Sequence, residues 1–231
     1  MPFSIFRMQT IRGANIVALL IGMSLFSMFF FISLYMQQVL GYSALKTGVA
    51  YLPLALVIIF SAGGASALVT RIGFKITLII GMLFITAGLL WFAQVPAQGG
   101  TYVGDVLFPS ILAAIGLGFA FVPVTIAAVT GIRPDQAGLA SGLVNTAQQV
   151  GGALGLAILV AVANGATSSA VSDGVGRATA LTQGFQDAFL VGAGFAFAGA
   201  ILAALLIASR DAREHAEAAR RGDAAVTPVA A

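Results

Sequence analysis

The sequence predicts an all-α membrane protein of six transmembrane helices, and three observations carry that prediction. Of 231 residues, 59% are hydrophobic and only 8% charged, against roughly 25% charged in a soluble domain. So little polar material cannot cover a soluble surface of this size. The charged residues also divide the chain into six charge-free stretches, residues 13–45, 47–70, 76–104, 106–132, 136–172 and 188–209. Each is long enough for one helical crossing, which takes about 20 residues, and none supplies two. Finally, six crossings place Arg7, Arg12, Arg71, Lys75, Arg133, Arg210, Arg213, Arg220 and Arg221 on one side and only Lys46 and Arg177 on the other. By the positive-inside rule both termini are then cytoplasmic.

The helices are placed at about 13–36, 48–69, 76–93, 106–130, 138–163 and 187–208, a bundle over residues 13–208. Transmembrane strands would alternate in polarity over ten-residue blocks, and runs such as residues 25–34 and 154–163 do not. Residues 1–12 read as a cytoplasmic lead-in. Arg7 and Arg12 precede an apolar stretch too long, and followed by too many further spans, for a cleaved signal peptide. Proline interrupts the second helix at Pro53 and the fourth at Pro109 and Pro123. Each removes a backbone hydrogen bond and bends its helix, as a static bend or as a flexible point.

The fifth helix is the most informative. At 100° per residue, Gly138, Ser141, Gly142, Asn145, Gln148, Gln149, Gly152 and Gly155 share one sector, opposite Leu139, Leu143, Ala147, Val150, Leu154 and Ile158. Gly138, Gly142, Gly151, Gly152 and Gly155 point to close helix packing or bending. The amides Asn145, Gln148 and Gln149 admit two readings: interhelical hydrogen bonding, worth about 0.6 kcal/mol on average, or the lining of a water-filled cavity. The sixth helix carries a close-packing ridge at Ala188, Gly192, Ala196, Ala200 and Ala204. Connectors are short except the one at about 164–186, rich in Ser, Thr, Ala and Gly, where no fixed structure beyond a turn or two is expected. Residues 209–231 read as a cytoplasmic, largely disordered tail.

Catalytic chemistry is missing. There is no cysteine, and the one histidine, His215, lies in the tail. Asp105 and Asp187 are expected at helix starts, where a carboxylate complements the positive end of the helix dipole. No acidic residue falls at the centre of a predicted span, and no phosphate-binding loop is present. No catalytic residue, metal site or cofactor is expected, and no nucleic-acid partner.

Several segments carry a family resemblance. Residues 138–157, GLASGLVNTAQQVGGALGLA, resemble the signature stretch in the C-terminal half of the fourteen-helix drug:proton antiporters of the major facilitator superfamily, the EmrB/QacA type. Residues 29–41, FFFISLYMQQVLG, residues 51–54, YLPL, and residues 116–123, GLGFAFVP, follow the same pattern in the family's order. Residues 66–75, SALVTRIGFK, are similar to the superfamily's cytoplasmic loop motif: Arg71, Gly73 and Lys75 match its basic and glycine positions. Thr70 stands where the motif has Asp, and Ser66 where it has Gly. Gln148 stands where many relatives carry Arg.

The resemblance implies one half of a major facilitator fold, two inverted three-helix repeats, paired with an N-terminal half around a midplane cavity. It implies multidrug efflux coupled to protons by alternating access, in a cell membrane, with a hydrophobic small molecule as substrate. Asn145, Gln148 and Gln149, then Tyr35 and Gln38, are the cavity candidates, and Arg71, Gly73 and Lys75 form the cytoplasmic gating loop. The alternative is a stand-alone six-helix module that dimerises with a second copy or regulates without transporting.

Overall fold

The computed structural model describes residues 9–212 and Glu217. The lead-in before residue 9 and the tail beyond Ala212, Glu217 apart, lie outside the described residues, and with them Arg7, Arg213, His215, Arg220 and Arg221. Among the described residues, six helices are long and apolar enough to cross a membrane: α1 (Gln9–Val39), α2 (Ala44–Ile72), α3 (Phe74–Phe92), α4 (Tyr102–Val129), α5 (Ala137–Ser172) and α6 (Arg177–Leu206). The described residues contain no strand.

The prolines sit differently from expectation. α2 is two segments, Ala44–Ala50 and Leu52–Ile72, and Pro53 falls in the first turn of the second. Pro109 opens the α-helical part of α4 (Phe108–Val129), after a π-helical stretch Tyr102–Leu107. Pro53 follows a break at Tyr51, where a proline nitrogen has no helical partner to lose, whereas at Pro109 the π-helical turns run straight on into the α-helix. Among the described residues only Pro123 is interior to an α-helix.

The connector expected over residues 164–186 is helical except at residues 173–176. α5 runs for 36 residues, about 54 Å at 1.5 Å per residue, well beyond a hydrocarbon core of about 30 Å. Its small residues, read as loop signals, serve tight packing. Gly184 of α6 presses on the Ala163 carbonyl and the Thr167 hydroxyl of α5. Ser172 and Thr182 return their hydroxyls to the carbonyls of Ser168 and Ala178, one turn back.

α1 packs along α5 and α6, α4 packs along α2 and α3, and α3 packs along α6. Exchanging the first three helices with the last three reproduces that pattern, save that α5 and α6 associate far more closely than α2 and α3. The symmetry reaches individual residues. Gly22 of α1 lies against the Gln148 carbonyl of α5, as Gly118 of α4 lies against Ser61 of α2. Two residues on, Ser24 donates to the Gly192 carbonyl of α6 at 3.2 Å, as Ala120 abuts Gly81 of α3. Three crossings per unit invert the second unit relative to the first.

The core is centred on α1, α3 and α6. Phe31 contacts Phe185 and Phe189, and Phe92 stacks on Phe189 with centroids 5.1 Å apart. On α6, Ala188, Gly192, Ala196 and Ala200 are buried as a ridge, whereas Ala204 is exposed and Ala203 takes its place. α2 and α5 bury the smallest share of their residues.

Candidate substrate-cavity face

α5 is fastened to α1 along one narrow strip. A Cβ on Gly151 would collide with the Leu19 carbonyl, and one on Gly155 with the Met23 backbone. Both glycines are buried, as are Ala140, Val144 and Leu159 of the same helix, the last beside Gly192 of α6. Gly152 lies at the strip's edge, where the Phe26 ring of α1 covers it.

The amides divide at that edge. Gln148 is half-buried, and its own backbone carbonyl is the atom that meets Gly22. Asn145 and Gln149 are exposed and make no hydrogen bond among the described residues. Ser141, Gly138 and Gly142 are exposed on the same side, and a Cβ at either glycine would meet nothing within 4 Å. The packing expected of Gly138 and Gly142 is therefore not made within this bundle; Gly151, Gly152 and Gly155 are the residues against α1. Interhelical hydrogen bonding within the bundle does not account for Asn145 or Gln149.

Magnitudes decide what this face can adjoin. An amide moved into hydrocarbon without a partner costs about 4–8 kcal/mol. The return for an interhelical hydrogen bond averages about 0.6 kcal/mol. Two unpartnered amides facing lipid tails would thus be strongly disfavoured, whereas water or a polar protein surface removes the penalty. Phe26 and Phe30, one turn apart on α1, are 42% and 38% exposed. Phe26 borders the amides through Gly152, and the sequence reading missed both rings; the signal was their four-residue spacing, which puts them on one face of a helix that also carries Phe29 and Phe31.

The two weaker candidates lie elsewhere. Tyr35 is 1% exposed and donates its hydroxyl to the Pro96 carbonyl at 2.9 Å. It ties α1 to the α3–α4 connection and is not on the exposed face, because its ring is consumed by packing. Gln38 is exposed in a π-helical turn, Tyr35–Val39, beside an equally exposed Gln37. Since Gly22 is level with Gln148, Gln38 lies roughly 24 Å farther along α1. The structure does not bring it to Asn145 and Gln149.

Asp105 closes the first turn of α4, accepting from the Thr101 amide at 2.6 Å while Thr101 accepts from the Gly104 amide, a reciprocal cap. Asp187 is not at a helix start: α6 begins at Arg177, about three turns earlier. At the opposite end of the bundle, Gly73 turns the chain between α2 and α3 with φ 85°, a conformation only glycine adopts without strain. Arg71 is exposed, and Lys75 donates to the Ser209 hydroxyl at 3.0 Å. Among the described residues no group of His, Asp and Glu could hold a metal.

A family model described as Major Facilitator Superfamily matches residues 2–156. The chain belongs to the major facilitator superfamily. Its relatives include a puromycin resistance protein of Streptomyces alboniger, 36% identical over 94% of this chain and 44% of the relative. A cephamycin export protein of Amycolatopsis lactamdurans is 32% identical over 89% of the chain and 41% of the relative. A tetracenomycin C resistance and export protein of Streptomyces glaucescens is 32% identical over 69% and 29%. The chain spans less than half the length of these curated relatives. As a major facilitator protein it is a multi-pass membrane protein of a transporter class, not an enzyme.

Proposed function

We propose that this major facilitator chain is the C-terminal six-helix half of a proton-coupled multidrug exporter that works by alternating access. The observation that carries the reading is the exposed, unpartnered pair Asn145 and Gln149 on α5, one of the two least buried helices. In two-bundle transporters the site lies between the halves near the midplane, and a second bundle laid on α2 and α5 would turn this face into a cavity wall. Asn145 and Gln149 then offer hydrogen bonds to a small hydrophobic substrate, Phe26 and Phe30 an apolar surface, and Gln148 the cavity's edge. Arg71, Gly73 and Lys75 form the gating turn, both termini are cytoplasmic, and the protein resides in the cell membrane. The relatives' names, among them a puromycin resistance protein and a cephamycin export protein, support an antibiotic-like small molecule as substrate.

Efflux by the full transporter containing this half tests the assignment. Asn145→Ala with Gln149→Ala is expected to lower drug export at least tenfold at unchanged membrane abundance; export at the parental rate would remove both residues from the cavity. Collapsing the proton gradient is expected to abolish export.

A second reading keeps the same face and replaces the N-terminal half with a second copy. The near-symmetric exposure of α2 and α5 favours it. The mass of the complex purified from its native membrane separates the two: one chain joined to a different bundle, or two identical chains.

A further inference from the structure

α6 ends at Leu206, but the chain remains part of the bundle. Ile207 is extended, with φ −83° and ψ 122°, and buried; residues 209–212 then turn helical again. This short segment crosses the end of the bundle and meets three other elements. Thr10 of α1, 1% exposed, donates its hydroxyl to Asp211 at 2.5 Å and accepts from the Ala208 amide at 3.3 Å. Lys75, in the first turn of α3, donates to the Ser209 hydroxyl. Ala212 is buried, and its carbonyl oxygen would lie 2.9 Å from a Cβ on Gly73. Gly13 of α1 receives Leu206 in the same way.

We propose that residues 207–212 are a strap that fixes the α2–α3 turn to α1 at Thr10, the start of α3 and the end of α6, with Thr10 and Asp211 as positioning residues for that turn. Three features make this more than a frayed helix end. Thr10 is satisfied both as donor and as acceptor by the strap, so releasing the strap orphans a buried hydroxyl. The Asp211 carboxylate is held at 2.5 Å by the hydroxyl of Thr10, a buried residue of the helix at the other end of the chain. Gly73, already required by its positive φ, also leaves the space that Ala212 fills. A few hydrogen bonds hold the strap, so it fixes the turn at rest yet opens far more readily than the packed helices. The segment carrying Arg71 and Lys75 therefore moves with α1 and α6 while the strap is closed, and separately once it opens.

Hydrogen exchange of the whole chain in lipid nanodiscs tests the strap. Thr10→Val, and independently Ser209→Ala with Asp211→Ala, are expected to speed exchange of the amides of residues 73–77 about five- to tenfold. Residues 144–156, at the α1–α5 contact, should keep parental protection. Asp211→Asn retains an acceptor for Thr10 and should restore most of the protection lost in Asp211→Ala. Unchanged exchange at residues 73–77 in both variants overturns the proposal, and so does acceleration spread evenly over all six helices. The consequence for transport rests on the exporter reading: Asp211→Ala should change the maximal export rate while leaving the drug KM within twofold. Loss of that reading would show as no export by the unsubstituted transporter, whereas loss of the strap would show as unchanged exchange.

Discussion

Gly142, Gly151 and Gly152 are the same residue on the same helix within three turns, yet their surroundings assign them different work. Gly151 is pressed onto the Leu19 carbonyl, a backbone atom that cannot rotate away. Gly151→Val is expected to destabilise the bundle by about 1–3 kcal/mol, the cost of forcing extra atoms into a packed contact. Gly152 faces the Phe26 ring, which can swing aside, so Gly152→Ala should cost less. Gly142 faces open space within this bundle, and Gly142→Ala should stabilise the isolated chain by up to about 1 kcal/mol through helix propensity. Thermal unfolding of the three variants in one detergent checks the order. Sequence periodicity placed Gly142 and Gly152 in the same sector because it counts angles; it could not tell that α1 occupies only one edge of that sector. The amides divide for the same reason, with Gln148 at the occupied edge and Asn145 and Gln149 beyond it.

The instructive case among the elements is the α5–α6 hairpin. Its Ser, Thr, Gly and Ala residues between 164 and 186 suggest a loop, since those types populate turns in water. In a tightly packed helix pair the same small side chains permit close approach, and hydroxyls bond carbonyls one turn back. The two uses have one composition, so the sequence did not discriminate them. Hydrogen exchange should therefore find residues 164–172 and 178–186 protected and only residues 173–176 open; uniform rapid exchange from 164 to 186 would refute the hairpin. The proline positions show a similar limit. Pro53 and Pro109 were legible as interruptions, but that Pro53 follows a break at Tyr51 and Pro109 a π-helical stretch was decided by where each segment restarts.

For the whole molecule, membership of the major facilitator superfamily and the packing symmetry agree. Exchange of the first and last three helices preserves the principal helix pairs, although the two segments show no convincing sequence repeat. The physical reason is that the repeated feature is a contact, not a residue type: Gly22 against Gln148 and Gly118 against Ser61 perform one geometric task with different partners. The chain leaves the faces of α2 and α5 largely uncovered, which is the shape expected of one bundle of a pair. Purified gently from its own membrane, it is expected to run with a second bundle. A monodisperse monomer with unchanged drug binding would contradict that expectation.

The sequence by itself determined the membrane location in a multi-pass chain, the six helices, the family and the shortage of charge within the spans. The family was legible in its motifs; the other features follow from composition, because hydrocarbon penalises every unpaired polar group and every charge, and the penalty acts on each residue independently of its neighbours. Which amides remain unpartnered, which glycines bear on backbone, where the tail returns to Thr10 and Gly73, and that Tyr35 is a tie and not a cavity residue were decided only by the tertiary structure. Those outcomes depend on which helix faces which, and a helical period specifies the faces of each helix without specifying their neighbours.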